Sequence, residues 1–434
     1  MRFLPWSRQG RPAFSSPAPT STKDFASGVA LRVRRRYSLS PIYLTLPTPR
    51  QLDLDLEAQP VTDMHCFSFA PNPKLTRRSL SKLFLSGGPT VMGSKSEVRQ
   101  EDLLSSVAYR RMVRELSLLL QAPDSDLDVL RKRNERARDF AGYVKALCED
   151  AKIERAVLDN GIEPVGFEEF RRYTPARLYR VFRIEPILKR LLDTSESFSA
   201  LFDSFDEVIG TAVRKRGFVG FKSIVAYRTG LDVGKPDEGE ARRSFEAYRK
   251  GEEQREWFGP RVKPLRDLFL CHVAERSKKL GSFLQIHTGV GDTDVVADKC
   301  NPILLKNFLK LEAVSKIPVV LIHGGFPYTS EAAWLASVFP NVYFELSTPL
   351  PPTFLPALSR TRFREVVEIV PTTRIVYGSD AIEIPENHWM SAKLAKRALG
   401  GSLGDLVAEG VLDLDEAHQT GDLILNSNAT KLLA

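Results

Sequence analysis

Several apolar runs in this chain end on side chains that can hold a metal ion. FLQIH closes on His287, IPVVLIH on His323 and RIVYGSD on Asp380, and Gly-rich turns follow the first two. A shorter run, VTDMH, leads into His65, and GFVGFKSI carries Lys222. One His on such a strand is ordinarily a satisfied core residue. Several in chain order, each at a strand-to-loop junction, are not explained by packing. Imidazoles with one carboxylate suit Zn²⁺, or Mn or Fe as alternatives. A cation held by part of its shell keeps a position for water, lowers that water's pKa and polarises a carbonyl. Asp380 is then placed to ligate the cation and to take the water's proton. Lys222 either anchors a substrate carboxylate or, once carbamylated, joins the ligands. Arg228, beside Tyr227, suits a carboxylate because its fork accepts two oxygens. Arg183 either steers an acidic substrate or pairs with Glu185.

Side chains at strand ends require strands. Eight short apolar runs are legible near 61–66, 155–159, 178–184, 217–223, 282–287, 317–323, 341–346 and 374–380, with helical stretches between nearly all of them. Alternating strand and helix predicts parallel pairing with helices outside the sheet. Eight such units predict an α/β fold of the (β/α)8 TIM-like barrel type, whose chemistry sits at the C-terminal strand ends. A doubly wound open sheet is the alternative, but no GxGxxG follows the first strand. Residues 75–150 read as a helical insertion after strand 1. Its Ser/Gly-rich stretch SLSKLFLSGGPTVMGSKS suggests a lid.

The formal charge of +8 is local. Residues 1–50 hold nine Lys/Arg against Asp24, leaving 53 basic and 53 acidic residues in the remainder. The balanced body argues against a nucleic-acid partner. We therefore set residues 1–55 apart as a disordered basic extension and assign 56–434 to the barrel. The extension is rich in Arg, Ser and Pro and reads either as a mitochondrial transit segment or as an extension without an address. Pro12, Pro17 and Pro19 would interrupt a presequence helix. Four separated cysteines without a CxxC pair suit a reduced compartment, cytoplasm or mitochondrial matrix. No apolar run approaches the roughly 18 residues of a membrane span, so the expectation is a soluble protein with a small-molecule substrate. Nothing points to a nucleotide cofactor, and self-association is left open.

Taken together, His65, Lys222, His287, His323 and Asp380 resemble the ligand pattern of the amidohydrolase superfamily. VGFKSIVAYRTGL, LQIHTGVGDTD, NPILL, VVLIHGGFPY and IVYGSDAIEIPENHW are similar to its amidohydrolase-2 (amidohydrolase-related) branch. Within that branch the similarity is to the FluG/nodulin type, a domain carried ahead of a glutamine-synthetase-like domain. The resemblance implies a metal-dependent hydrolase with His65, His287 and Asp380 as ligands and His323 contacting metal or substrate. It also implies a pocket lined by Lys222, Tyr227 and Arg228. Where that family has His-x-His on strand 1, this chain reads His65-Cys66-Phe67, and Phe has no lone pair to donate. Three readings follow: a hydrolase cleaving a C–N bond in a small carboxylate-bearing substrate, with His323 stabilising the oxyanion; a metal-dependent decarboxylase on the same scaffold; or a barrel that binds without turnover.

Overall fold

The computed structural model describes residues 52–81, 99–235, 237–251, 260–291, 295–347 and 356–434. Residues 1–51 of the basic extension, most of the Ser/Gly-rich stretch proposed as a lid, and the DTD that ends LQIHTGVGDTD lie outside the described residues. Residues 52–55, assigned to the extension, are described, and the buried Leu54 donates its N–H to Gly400 O at 3.1 Å. No described helix is long and apolar enough to cross a membrane.

Eight parallel strands run in chain order: β1 (Val61–Cys66), β2 (Ile153–Asp159), β3 (Arg177–Arg183), β4 (Gly220–Ser223), β5 (Phe283–His287), β6 (Val319–Ile322), β7 (Val342–Glu345) and β8 (Ile375–Val376). Neighbours pair in register, Lys222 beside Arg183 on one side and Gln285 on the other. The circle closes through backbone bonds from Met64 N–H to Tyr377 O and from Ser379 and Asp380 N–H to His65 O. Apart from β3 and the start of β2, these strands are buried on both faces, which is why most of them read as largely apolar runs rather than alternating ones.

The barrel interior holds Met64, Val157, Val181, Phe283, Val320, Ile322 and Val376. Ala429, from the C-terminal helix Asn428–Leu432, joins them, and Leu432 and Leu433 pack against the cluster. A second and larger core lies between strands and helices. Local chemistry sets where the helices start and stop. Ser125, Asp139 and Ser197 accept the backbone N–H three residues on, each satisfying an otherwise orphaned donor. Gly281, at φ 64°, ends the helix Lys263–Leu280 and turns the chain into β5 two residues later.

The predicted insertion supplies the helices Val107–Leu120, Asp126–Arg136 and Phe140–Ala151. Arg133 and Tyr143 from this layer reach Glu386 on the helix Pro385–Ala408, with Arg133 Nε 2.5 Å and Tyr143 Oη 2.9 Å from Glu386 Oε1. Glu386, which the sequence suggests is a solvated loop acid, is fully buried. Strand β8 is far shorter than the 374–380 run predicts. After Val376 the chain leaves the ladder, passes Gly378 and turns at Asp380, a non-glycine residue at φ 51°.

Candidate active site

The strand ends converge as the spacing requires. His65 Nε2 lies 3.1 Å from Asp380 Oδ1 and 3.4 Å from Lys222 Nζ. The His323 ring is 5.3 Å from the His65 ring and 4.5 Å from the His287 ring, centroid to centroid. His65, His287, His323 and Lys222 are all buried. One ligand atom each from His65, His323 and Asp380 fall within 4.8 Å of one another. The tightest group therefore contains His323, which the resemblance left between metal and substrate. His287 stands beside that group.

Backbone geometry aims each group. Asp380 takes its left-handed conformation while its N–H donates to His65 O at 2.9 Å, so the turn after β8 is tied to the end of β1. Asp63 reinforces the tie. Its carboxylate accepts from the Ser379 N–H at 3.0 Å and the Ser379 hydroxyl at 2.5 Å, and burial pushes its pKa up to about 7. His323 sits at φ 71° with Gly324 and Gly325 also left-handed behind it. A Cβ at Gly324 would lie 2.2 Å from Phe344 Cζ, so the turn closing β6 needs glycine there.

Burial, followed by the nearby charge of Lys222, holds the His65 and His287 imidazoles well below their usual pKa. For His323 burial is again the largest cause, with His287 ahead of Lys222. Neutral imidazole is the form that ligates a metal. Burial also lowers Lys222 to about 8, against an upward pull from Asp159. His287 Nε2 is buried with no hydrogen-bond partner among the described residues, as is His65 Nδ1. An orphaned buried nitrogen beside other neutral donors and a carboxylate is what a cation would satisfy. The donor set thus fits a divalent metal.

A second trio, Asp63, Cys66 and His388, is equally close. It does not fit: Asp63 is occupied by Ser379, and the Cys66 thiol donates to Val157 O at 3.6 Å, with burial holding its pKa well above normal.

Phe67 occupies the position of the expected second His. Its ring meets His65 edge-on at 5.3 Å, and the Arg183 guanidinium lies 5.7 Å over it. Arg183 does form an ion pair, but with the fully buried Asp159 of β2 rather than with Glu185, its Nε 3.0 Å from Asp159 Oδ1. Glu185 instead accepts from Ser223 Oγ and Ile224 N, each at 2.7 Å. Tyr227 closes a short 3-10 turn after β4, its ring 4.5 Å from that of His287. Gly291 leaves room for it, since a Cβ there would fall 1.7 Å from the Tyr227 hydroxyl. Arg228 follows, half-buried, its Nη1 donating to Tyr227 O at 3.1 Å.

Glu345 and Ser347 are functional candidates that the motif reading missed. The Glu345 carboxylate at the end of β7 accepts from His323 N–H at 2.8 Å and from Ser347 N–H and Oγ–H at 2.7 Å each. Ser347 Oγ is 2.9 Å from His323 Nδ1. An acid inside the apolar run NVYFELS was the available signal. His272 lies away from the site and pairs with Asp206 at 2.7 Å on the outer helices.

Comparison with known proteins agrees with this architecture. A family model described as amidohydrolase matches residues 202–434, from ahead of β4 to the C-terminus. Protein fluG of Emericella nidulans is 30% identical over 357 residues, which cover 76% of this chain and 41% of that protein. The chain thus spans about two-fifths of that relative's length. A crystal structure from Lactobacillus casei, of a protein assigned as a metal-dependent hydrolase, superposes with a TM-score of 0.75 at 27% identity, covering 88% of this chain and 98% of that one. Uronate isomerase from Thermotoga maritima shares the fold at 13% identity and a TM-score of 0.61, covering 87% of this chain and 95% of that one. With the family model matched over more than half its length, the chain belongs to the amidohydrolase family.

Proposed function

We propose that this chain is a metal-dependent hydrolase of the amidohydrolase type that cleaves a C–N bond in a small, carboxylate-bearing substrate. The observation that carries the reading is the convergence of His65 and His323 on Asp380 at the C-terminal strand ends, with His287 beside His323 and all three imidazoles buried and neutral. These four would hold the cation, and the donor set does not discriminate zinc from manganese or iron. A divalent ion in such a site activates water at neutral pH and polarises the carbonyl to be attacked. Asp380 lies beside His65 at the mouth, partly exposed where the imidazoles are not, and accepts the proton of the attacking water. Lys222 within β4, and Tyr227 and Arg228 just after it, orient the substrate carboxylate. Arg183, paired with Asp159, contributes positive potential beside Phe67 rather than a free fork.

A second reading has its own observation. Phe67 fills the place of an expected ligand with a well-packed ring, as a barrel retained for binding alone would. Product analysis separates the possibilities. The purified full chain, supplied with zinc or manganese, is offered a panel of carboxylate-bearing amides and aromatic acids. Release of amine or ammonia supports the hydrolase. Release of CO₂ moves the assignment to decarboxylation, and binding without product supports the non-catalytic barrel.

A further inference from the structure

We propose that Glu345 and Ser347 form a positioning relay that fixes the tautomer of His323 and presents its Nε2 lone pair to the cation site. The inference deepens the functional reading above and rests on it for the cation, but not for the relay.

Three donors converge on the two Glu345 oxygens: His323 N–H at 2.8 Å, and Ser347 N–H and Ser347 Oγ–H at 2.7 Å each. That is the arrangement of an ionised carboxylate, which accepts only. A serine hydroxyl has one proton, and here it goes to Glu345. Toward His323 Nδ1, at 2.9 Å, Ser347 Oγ can therefore only accept. Nδ1 carries the hydrogen, and a neutral imidazole with its hydrogen on Nδ1 has a bare Nε2. Such a ring can ligate a cation but has no Nε2 proton to donate to an oxyanion. The relay thus favours a ligand role for His323 over the oxyanion role set out for it in the hydrolase reading.

The surroundings hold the relay in place. Glu345 is the last residue of β7, adjacent to β6 in the ladder, so its carboxylate faces the backbone of His323 where β6 ends. The same carboxylate satisfies the N–H that the left-handed turn at His323 exposes. Arg362, buried on the helix Pro356–Ile369, donates from Nη2 to Ser347 O at 3.1 Å and reaches His323 O at 3.4 Å. Gly378 leaves the room: a Cβ there would fall 2.1 Å from Glu345 Oε1. Carboxylate partners that orient a ligating imidazole recur in metal sites, and their loss costs roughly 10- to 100-fold in metal affinity.

The test reads the tautomer directly. The full-length chain is labelled with ¹⁵N in its six histidines and stripped of metal, and long-range ¹H–¹⁵N correlations are recorded, with His323 identified by its loss in His323→Gln. Wild type is expected to show Nδ1–H. Ser347→Ala is expected to shift the ring toward Nε2–H and to weaken zinc binding by about 10- to 100-fold. Ser347→Thr, which keeps the hydroxyl, is expected to retain both properties. If the Ala variant fails to fold, Ser347→Cys, a weak acceptor, is read in its place. An Nε2–H tautomer in wild type, or Nδ1–H with unchanged zinc affinity in the variant lacking the hydroxyl, overturns the relay. Should wild type bind no metal, the hydrolase reading fails while the tautomer comparison still decides the relay.

Discussion

Removing Arg133 should destabilise the fold more than any surface ion pair would, because its partner is left charged and dry. Arg133 is 1% exposed and Glu386 is fully buried, with Nε 2.5 Å from Oε1. Arg133 Nη1 also donates to Asn72 O at 2.6 Å, and the Tyr143 hydroxyl gives Glu386 a second donor at 2.9 Å. Exposed pairs contribute about 0–1 kcal/mol, whereas stranding one member of a buried pair costs about 3–5 kcal/mol. Arg133→Met keeps most of the volume and removes the charge, so that range applies, with the Tyr143 bond holding it to about 3 kcal/mol. Arg133→Met/Glu386→Gln should recover most of the loss, since a neutral amide still accepts from Tyr143. Equilibrium guanidinium unfolding, followed by both far-UV dichroism and fluorescence to test for a single transition, measures the difference. A single variant within about 1 kcal/mol of wild type would refute the reasoning. So would a double variant no better than the single one.

Other outcomes follow from the same geometry. His388 is buried, its pKa lowered to about 3 by burial from the usual 6.5. The unfolded chain therefore takes up its proton first, so stability is full above about pH 6.5 and drains as pH falls toward 3; at pH 5 the deficit from this residue is about 2 kcal/mol. His388→Leu should flatten that part of the acid profile in thermal melts, and an unchanged slope would count against the burial argument. Gly378→Ala forces a methyl against the Glu345 carboxylate and should cost about 1–3 kcal/mol in denaturant unfolding. Gly291→Ala displaces the Tyr227 hydroxyl and should weaken substrate binding, read as a raised KM with kcat less affected. Phe67→His should make bound metal harder to remove by dialysis against a chelator, and equal retention would show that the position does not face the cation.

The barrel and its site were legible to different depths. Eight apolar-rich runs separated by helical stretches sufficed for the strand order, because parallel strands covered by helices outside and by the barrel core inside bury most of their side chains. His287 and His323 announced themselves by ending such runs before Gly-rich turns. The ends of β8 were misjudged, since GSD reads as more strand while Asp380 in fact turns back at φ 51° onto the β1 terminus. Arg183 was set against Glu185, its neighbour in sequence. Its partner is Asp159, at the end of the neighbouring strand β2, where the register sets it opposite Val181, two residues before Arg183, and only strand pairing reveals that. Glu345 and Ser347 were missed for the same reason: their work is on β6, and neither residue carries a motif of its own. Glu386 looked like a loop acid because the helix that buries it comes some 250 residues earlier.

The central claim is that this site holds a divalent cation between His65, His287, His323 and Asp380. Elemental mass spectrometry on the purified full-length chain, beside His287→Ala and Asp380→Asn, tests it most directly. The account predicts near-stoichiometric metal in wild type and a clear loss in both variants, with the fold preserved by circular dichroism. A metal-free wild type that stays empty after incubation with zinc, manganese or iron would contradict it, as would metal retained in full by both variants.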